Sequence, residues 1–141
     1  MFRTTVTAIA ASLLALPAFA QDQSSFALEL NAAANTDAGS CRLTYVASNR
    51  SDTALDRTGY EVAVFDGEGV VTRLLVLEFG ALVEGKTKIL QFDLADTDCA
   101  DISRIVVNDV ASCTQAADGQ ETDLCMAGLA ASSRTAIQFG I

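Results

Sequence analysis

After residue 24 the apolar residues fall in short runs that alternate with period two, and no run sustains the 3.6-residue period of a helix. In "SFALELNA", Phe26, Leu28 and Leu30 share one side of an extended chain, with Ala27, Glu29 and Asn31 on the other. "CRLTYVASN" sets Cys41, Leu43, Tyr45 and Ala47 against Arg42, Thr44, Val46 and Ser48. "YEVAVFD" aligns Tyr60, Val62 and Val64, and "VVTRLLVLEF" groups Val71, Leu75, Leu77 and Phe79 with Arg73 as the exception. "KTKILQFDL" groups Lys88, Leu90, Phe92 and Leu94, with Lys88 at the rim. "ISRIVVNDV" is β-branched like a central strand. "TAIQFGI" closes with Ile137, Phe139 and Ile141 on one face. Seven strands separated by turns predict an all-β fold, a single antiparallel immunoglobulin-like β-sandwich. A small barrel is the alternative. "DLCMAGLAASS" reads as a short helix or an irregular crossing, with one helical turn around Asp123 to Met126.

The segment ahead of these strands has a different character. "MFRTTVTAIAASLLALPAFA" carries one cation, Arg3, then an apolar run, then Pro17 and Ala18-Phe19-Ala20. Small residues at −3 and −1 predict a secretory signal peptide over 1–20 and a mature domain over 21–141. No Arg-Arg pair and no Cys directly after the cut direct the reading to general secretion without a lipid anchor, and no later run is long enough to insert stably in a membrane. Export makes the four cysteines a disulfide framework. Three pairings are open. Cys113–Cys125 is favoured because the two bracket one polar loop, which leaves Cys41–Cys99; the short bridge stabilises by about 3 kcal/mol in the chain-entropy picture. Zinc is disfavoured, since the chain has no Cys-x-x-Cys and no His.

The net charge is −9, and it becomes −10 when Arg3, the one charged side chain of residues 1–20, is removed. That field repels nucleic acid and anionic lipid, and leaves a protein partner, a cation or simple solubility as its use. Between "YEVAVF" and "VVTRLLVLEF" lies Asp66-Gly67-Glu68-Gly69. Asp-Gly between apolar runs predicts a hairpin turn, in which a glycine takes positive φ without a Cβ clash. Two carboxylates fall short of the six to eight or so oxygens that calcium takes. The better cation candidate is "DLADTDCAD", where Asp93, Asp96, Asp98 and Asp101 lie on one connection beside Cys99. Its plainer reading is a solvated acidic loop pinned by a disulfide.

Catalytic arrangements find no support. Without His, neither a Ser-His-Asp nor a Cys-His constellation exists. Paired cysteines offer no thiolate, and no glycine-rich phosphate loop occurs. Asn49-Arg50-Ser51 matches the N-glycosylation acceptor triplet. Phe65, Val46, Val70, Val76 and Ile89 fall opposite the expected core faces, so they are either core of a second layer or an apolar strip on an outer face.

The stretch "TGYEVAVFDGEGVVTRLL" followed by "FGALVEGKTKILQFDL" resembles the FxLYD and CARDB-like group of small sandwich domains in exported bacterial proteins. The matching positions are Phe65, Asp66, Gly67, Gly69, Leu82, Gly85, Lys86 and Phe92, preceded by Val46, Asn49 and Ser51. The chain is also similar to a family of short exported bacterial proteins with four cysteines. The cysteines depart from the usual FxLYD pattern. The resemblance covers roughly Cys41 to Val107; it implies an immunoglobulin-like sandwich in the bacterial envelope and carries no catalytic residue with it. The expected function is a periplasmic or secreted, non-enzymatic binding or accessory module acting on an envelope protein through a sheet edge or outer face. A calcium- or other cation-binding domain using Asp93, Asp96, Asp98 and Asp101 is the alternative.

Overall fold

The computed structural model describes residues 24–141. The signal peptide expected over 1–20 lies outside the described residues. The elements are β1 (Phe26–Asn35), β2 (Cys41–Asn49), β3 (Leu55–Phe65), β4 (Val71–Glu78), β5 (Thr87–Leu94), β6 (Arg104–Gln115), α1 (Leu124–Ala127), β7 (Leu129–Ser133) and β8 (Gln138–Gly140), with a 3-10 turn at Cys99–Asp101. Two four-stranded sheets pack face to face, in the orders β5-β2-β1-β7 and β4-β3-β6-β8. This is the all-β sandwich expected from the alternation.

The alternation translates directly into burial. Phe26, Leu28 and Leu30 from β1, Leu43, Tyr45 and Ala47 from β2, and Tyr60, Val62 and Val64 from β3 are all buried. Both sheets and the β4–β5 connection contribute to one aromatic cluster. Tyr45 meets Phe139 edge-on at 5.2 Å, Phe79 meets Phe92 at 5.4 Å, and Tyr60 meets Phe79 at 6.0 Å. Edge-to-face contacts of this kind add about 0.5–1.5 kcal/mol each beyond area burial. The disulfides are Cys41–Cys99 and Cys113–Cys125, the favoured pairing.

The structure departs from the sequence reading at the C-terminal end. The described residues form eight strands, and the last two pair in parallel: β7 with β1, and β8 with β6. The crossing at "DLCMAGLAASS" holds both α1 and β7. Leu129–Ser133 is recruited by β1, beginning where Phe26 N–H donates to Gly128 C=O at 3.0 Å. The chain then changes sheet over four residues and joins β6 through Arg104↔Gln138. Ile141 falls beyond the last pair and is 65% exposed, so it is not core. Val71 is likewise exposed, because a register shift beside Phe65 turns it to the outer face.

Two buried tyrosines differ in one respect. Tyr60 Oη donates to Cys125 C=O at 2.7 Å, tying β3 to the short disulfide. Tyr45 Oη has no partner among the described residues. Burial pushes both phenols well above their ordinary range, so both stay neutral in the folded chain. Removing a satisfied buried hydroxyl strands its acceptor, at a cost of about 1–3 kcal/mol; removing an unsatisfied one relieves a desolvation penalty. Tyr60→Phe is therefore expected to lower the unfolding free energy by about 1–2 kcal/mol. Tyr45→Phe is expected to leave it unchanged or raise it. Urea denaturation of the two variants reads both signs, and equal losses in both would contradict the assignment.

Candidate functional site

The sandwich has one closed side and one open side. On the closed side β7 and β8 are consecutive pieces of chain that stitch the sheets together. On the open side stand β4 and β5, edge strands of different sheets. Between them lies a groove of about 570 Å³ bounded by 73–77 of β4 and 91–95 of β5 and beyond. Leu75 and Phe92, both half-buried, and the buried Leu77 and Leu94 supply its apolar floor.

Each of these edge strands carries an inward-pointing cation. Arg73 sits opposite Val64, whose side chain is core, so its stem points between the sheets. Its Nη2 donates to Ala95 C=O at 2.6 Å, across the groove. Lys88 sits opposite Ala47 in the same sense, and its Nζ donates to Phe79 C=O at 2.7 Å. An inward charge at a sheet edge is a device against edge-to-edge pairing, since a covering strand would bury it. The exception noted at Arg73 and the rim position of Lys88 thus share one physical cause.

Asp66-Gly67-Glu68-Gly69 is a hairpin turn. Asp66 N–H donates to Val70 C=O at 2.9 Å, and Asp66 Oδ1 accepts from the N–H groups of Glu68 at 3.0 Å and Val70 at 2.9 Å. The left-handed residue is Gly69, at φ +80°. The second glycine, rather than Gly67, is the one the turn requires.

The four aspartates of the acidic connection do not converge. Asp93 lies on β5 and forms a two-pronged ion pair with Arg42 across the β2–β5 ladder, Nε–Oδ1 2.7 Å and Nη2–Oδ2 2.8 Å. The Arg42 hydrogen bonds hold the Asp93 carboxyl below its usual range. Asp98 caps the 3-10 turn by accepting from Ala100 N–H at 2.8 Å, and it also accepts from Asn35 Nδ2 at 2.9 Å. Those contacts, Asn35 foremost, lower its carboxyl as well. Asp96, at φ +52°, shares one hollow with Asp98 and Asn35, and a second, of about 300 Å³, with Asp101, Asp66 and Arg73. Among the described residues no group of three or more Asp, Glu, Cys or His side chains is placed to hold a metal ion.

Val70, Val76 and Ile89 are exposed, and Val46 and Phe65 are half-buried on outer faces. Leu74, 62% exposed, belongs with them. It alternated out of phase with the core set of its own strand, which was the signal that could have singled it out. Asn49 of the glycosylation triplet is buried. Its Nδ2 donates to Thr53 C=O at 2.8 Å and Leu82 C=O at 3.0 Å, and its Oδ1 accepts from Ser51 N–H. The triplet is a corner of the fold that pins the β2–β3 loop to the β4–β5 connection.

No family model matches the chain, and no curated protein does. A solved structure described as the structural characterisation of IrmA from Escherichia coli aligns with a TM-score of 0.57. It covers 75% of this chain and 89% of its own, at 10% identity. That likeness concerns the fold alone, a small β domain.

Asn49→Ala would leave the Ser51 N–H without its acceptor and take one of two donors from each of the Thr53 and Leu82 carbonyls, and is expected to destabilise by about 2 kcal/mol. Thermal melting should show a fall of roughly 5–12 °C for a domain of this size. A shift under 2 °C or so, within surface-substitution scatter, would mean the corner is satisfied in another way.

Proposed function

We propose that this chain is an exported, periplasmic, non-enzymatic binding or accessory module that takes an extended segment of an envelope protein into the groove between β4 and β5. The observation that carries the reading is the groove itself. It joins apolar walls to two strand edges, the combination that added-strand recognition uses: backbone pairing for affinity, side-chain pockets for specificity. Arg73 makes the groove selective. A strand laid along β4 must replace the Ala95 carbonyl with an acceptor of its own or leave a guanidinium buried and unpaired. The ligand this favours is an extended segment with alternate apolar side chains and a carboxylate or carbonyl aimed at Arg73. Two disulfides fit export to an oxidising compartment, and no helix of the described residues is long and apolar enough to cross a membrane.

The test is a photo-crosslinking residue at Gln91, exposed on β5 at the groove, with Gln120 in the far β6–α1 loop as control. In the native envelope the expected result is one adduct from Gln91, absent from Gln120 and competed away by unlabelled domain. No adduct, or the same adducts from both positions, would sink the reading.

A cation reading keeps one observation: Asp66, Asp96 and Asp101 line one hollow, although they are not drawn together as a ligand set. A ligand at 100 times its Kd raises native stability by about 2.7 kcal/mol. A rise in melting temperature with calcium, reversed by chelator and abolished by Asp96→Asn, would favour that reading over the groove. Equal melting curves would remove it.

A further inference from the structure

The outer face of the sheet β4-β3-β6-β8 carries a second surface, separate from the groove. Three rows of outward side chains cross it. The middle row is apolar: Leu74, Ala63 and Val106 stand in register on β4, β3 and β6. Ala63 is only 7% exposed although it faces outward, because its neighbours cover it, while Leu74 stands clear at 62%.

The flanking rows have opposite charge. Two residues along the strands in one direction, roughly 7 Å away, Phe65 pairs with Arg104, whose guanidinium lies 4.0 Å over the ring. Arg104 makes no ion pair among the described residues, where the pairs are Arg42–Asp93 and Arg134–Glu29. In the other direction, two residues along β3 and three along β6, where a register shift at Asn108 adds one, Glu61 pairs with Asp109. Like charges directly opposite destabilise an antiparallel pair. Among the described residues the relief comes from Asn108 Nδ2, which donates to Glu61 at 2.6 Å, and from Val110 N–H, which donates to Asp109 at 2.7 Å.

A two-fold axis laid along the apolar row matches this surface to itself. It sets Leu74, Ala63 and Val106 against the same residues of a second copy. It brings Arg104 of each copy over Asp109 and Glu61 of the other, and Val71 over Val76. We propose that this face docks on a second copy of the chain as a weak, two-fold symmetric dimer. The occupant follows from charge complementarity: an unpaired cation and an under-compensated acidic pair flank the apolar row on opposite sides, so each copy supplies what the other lacks. The sheet face is roughly 19 by 27 Å from strand spacing and rise, at the small end of specific interfaces. The net charge of −9 opposes association at long range. At physiological salt the screening length is about 8 Å, which weakens that repulsion more than the contact pairs.

Sedimentation equilibrium up to about 1 mM protein, where even a millimolar Kd shows, tests the geometry. The variants are Arg104→Glu and Asp109→Arg, both exposed and both away from the groove. Each alone sets like charges against each other at both symmetric contacts, and is expected to weaken self-association by about tenfold or more. Mixed in equal amounts they present opposite charges at both contacts, so the mixture is expected to recover most of the wild-type association. Recovery in the mixture also excludes misfolding of either variant. A wild-type chain that stays monomeric across the range, an Arg104→Glu variant that associates like wild type, or a mixture no tighter than its components would overturn the proposal. None of these results bears on the crosslink at Gln91.

Discussion

Two four-stranded sheets packed face to face leave four strand edges with unpaired backbone groups, and much of what is unusual in this chain deals with those edges. On one side the solution is topological. The C-terminal strand is divided, with β7 of five residues closing one sheet and β8 of three closing the other. Edges this short offer little to pair with. The rest of β6, which β8 leaves uncovered, carries register shifts around Val107 and Ser112 that bend its ladder. On the other side the edges are long, eight residues each in β4 and β5, and there the solution is electrostatic. Arg73 and Lys88 point inward from those strands and spend their donors on main-chain carbonyls. An edge protected by a charge is closed to strands without a counter-group and open to those with one. The proposed recognition of an extended segment between β4 and β5 rests on that selectivity.

The interior has to hold two sheets in register while the connection between β4 and β5 crosses from one to the other. Phe79 and Leu82 do this from within the connection, both buried. Phe79 touches aromatic rings of both sheets. Leu82 bridges Leu55 by paired backbone hydrogen bonds of 2.8 and 2.9 Å. Asn49 accepts and donates at the same corner, so the β2–β3 loop and the β4–β5 connection are locked together by one side chain. The disulfides act at the periphery of this arrangement. Cys41–Cys99 anchors the acidic connection to β2, and Cys113–Cys125 anchors α1 to β6, just before the chain turns into β7. The second bridge and the Tyr60–Cys125 hydrogen bond together place the start of β7 beside β1.

Features that depend on neighbours along the chain were legible in the sequence. Phe26, Leu28 and Leu30, or Cys41, Leu43, Tyr45 and Ala47, alternate because a half-buried strand has a period of two, and burial follows that pattern residue by residue. The disulfide pairing followed from one loop that two cysteines bracket. Features that depend on distant partners were not legible. "LAASS" has neither the β-branched content nor the apolar alternation of a strand; it is one because β1 offers it a ladder. The polar "LDRTG" is drawn into β3 for the same reason, with β6 on its far side. The acidic run looked like one cluster because its aspartates are close in sequence. The fold sends Asp93 onto a strand with Arg42, makes Asp98 a cap, and leaves Asp96 and Asp101 near Asp66, which lies about thirty residues earlier in the chain. Spacing in a loop carries no information about direction, and coordination is a matter of direction.

Cations are scarce in this protein, nine Lys and Arg against eighteen Asp and Glu, so the position of each one is informative. Arg42 and Arg134 neutralise acids on neighbouring strands, and Arg73 and Lys88 guard long edges. Arg104 does neither. It is held flat on Phe65 at the border of an apolar row, two residues from the register of Ala63 and Val106, with its donors unspent among the described residues. A guanidinium loses little rotamer freedom when it is already stacked, so a later contact with a carboxylate costs less ordering than it would for a free side chain. Glu61 and Asp109, held side by side by the β3–β6 register, are preorganised in the same way and gain from any cation brought near them. Edges protected by inward charge and short strands keep like sheets from extending one another into open assemblies. A face with an ordered cation on one side of its apolar row and ordered carboxylates on the other is self-complementary under a two-fold axis, the closed contact proposed above. In the proposed dimer the edge devices and the polarity of the face act on the same problem: the first oppose open strand-to-strand assembly, and the second leaves the edges of β4 and β5 outside the contact.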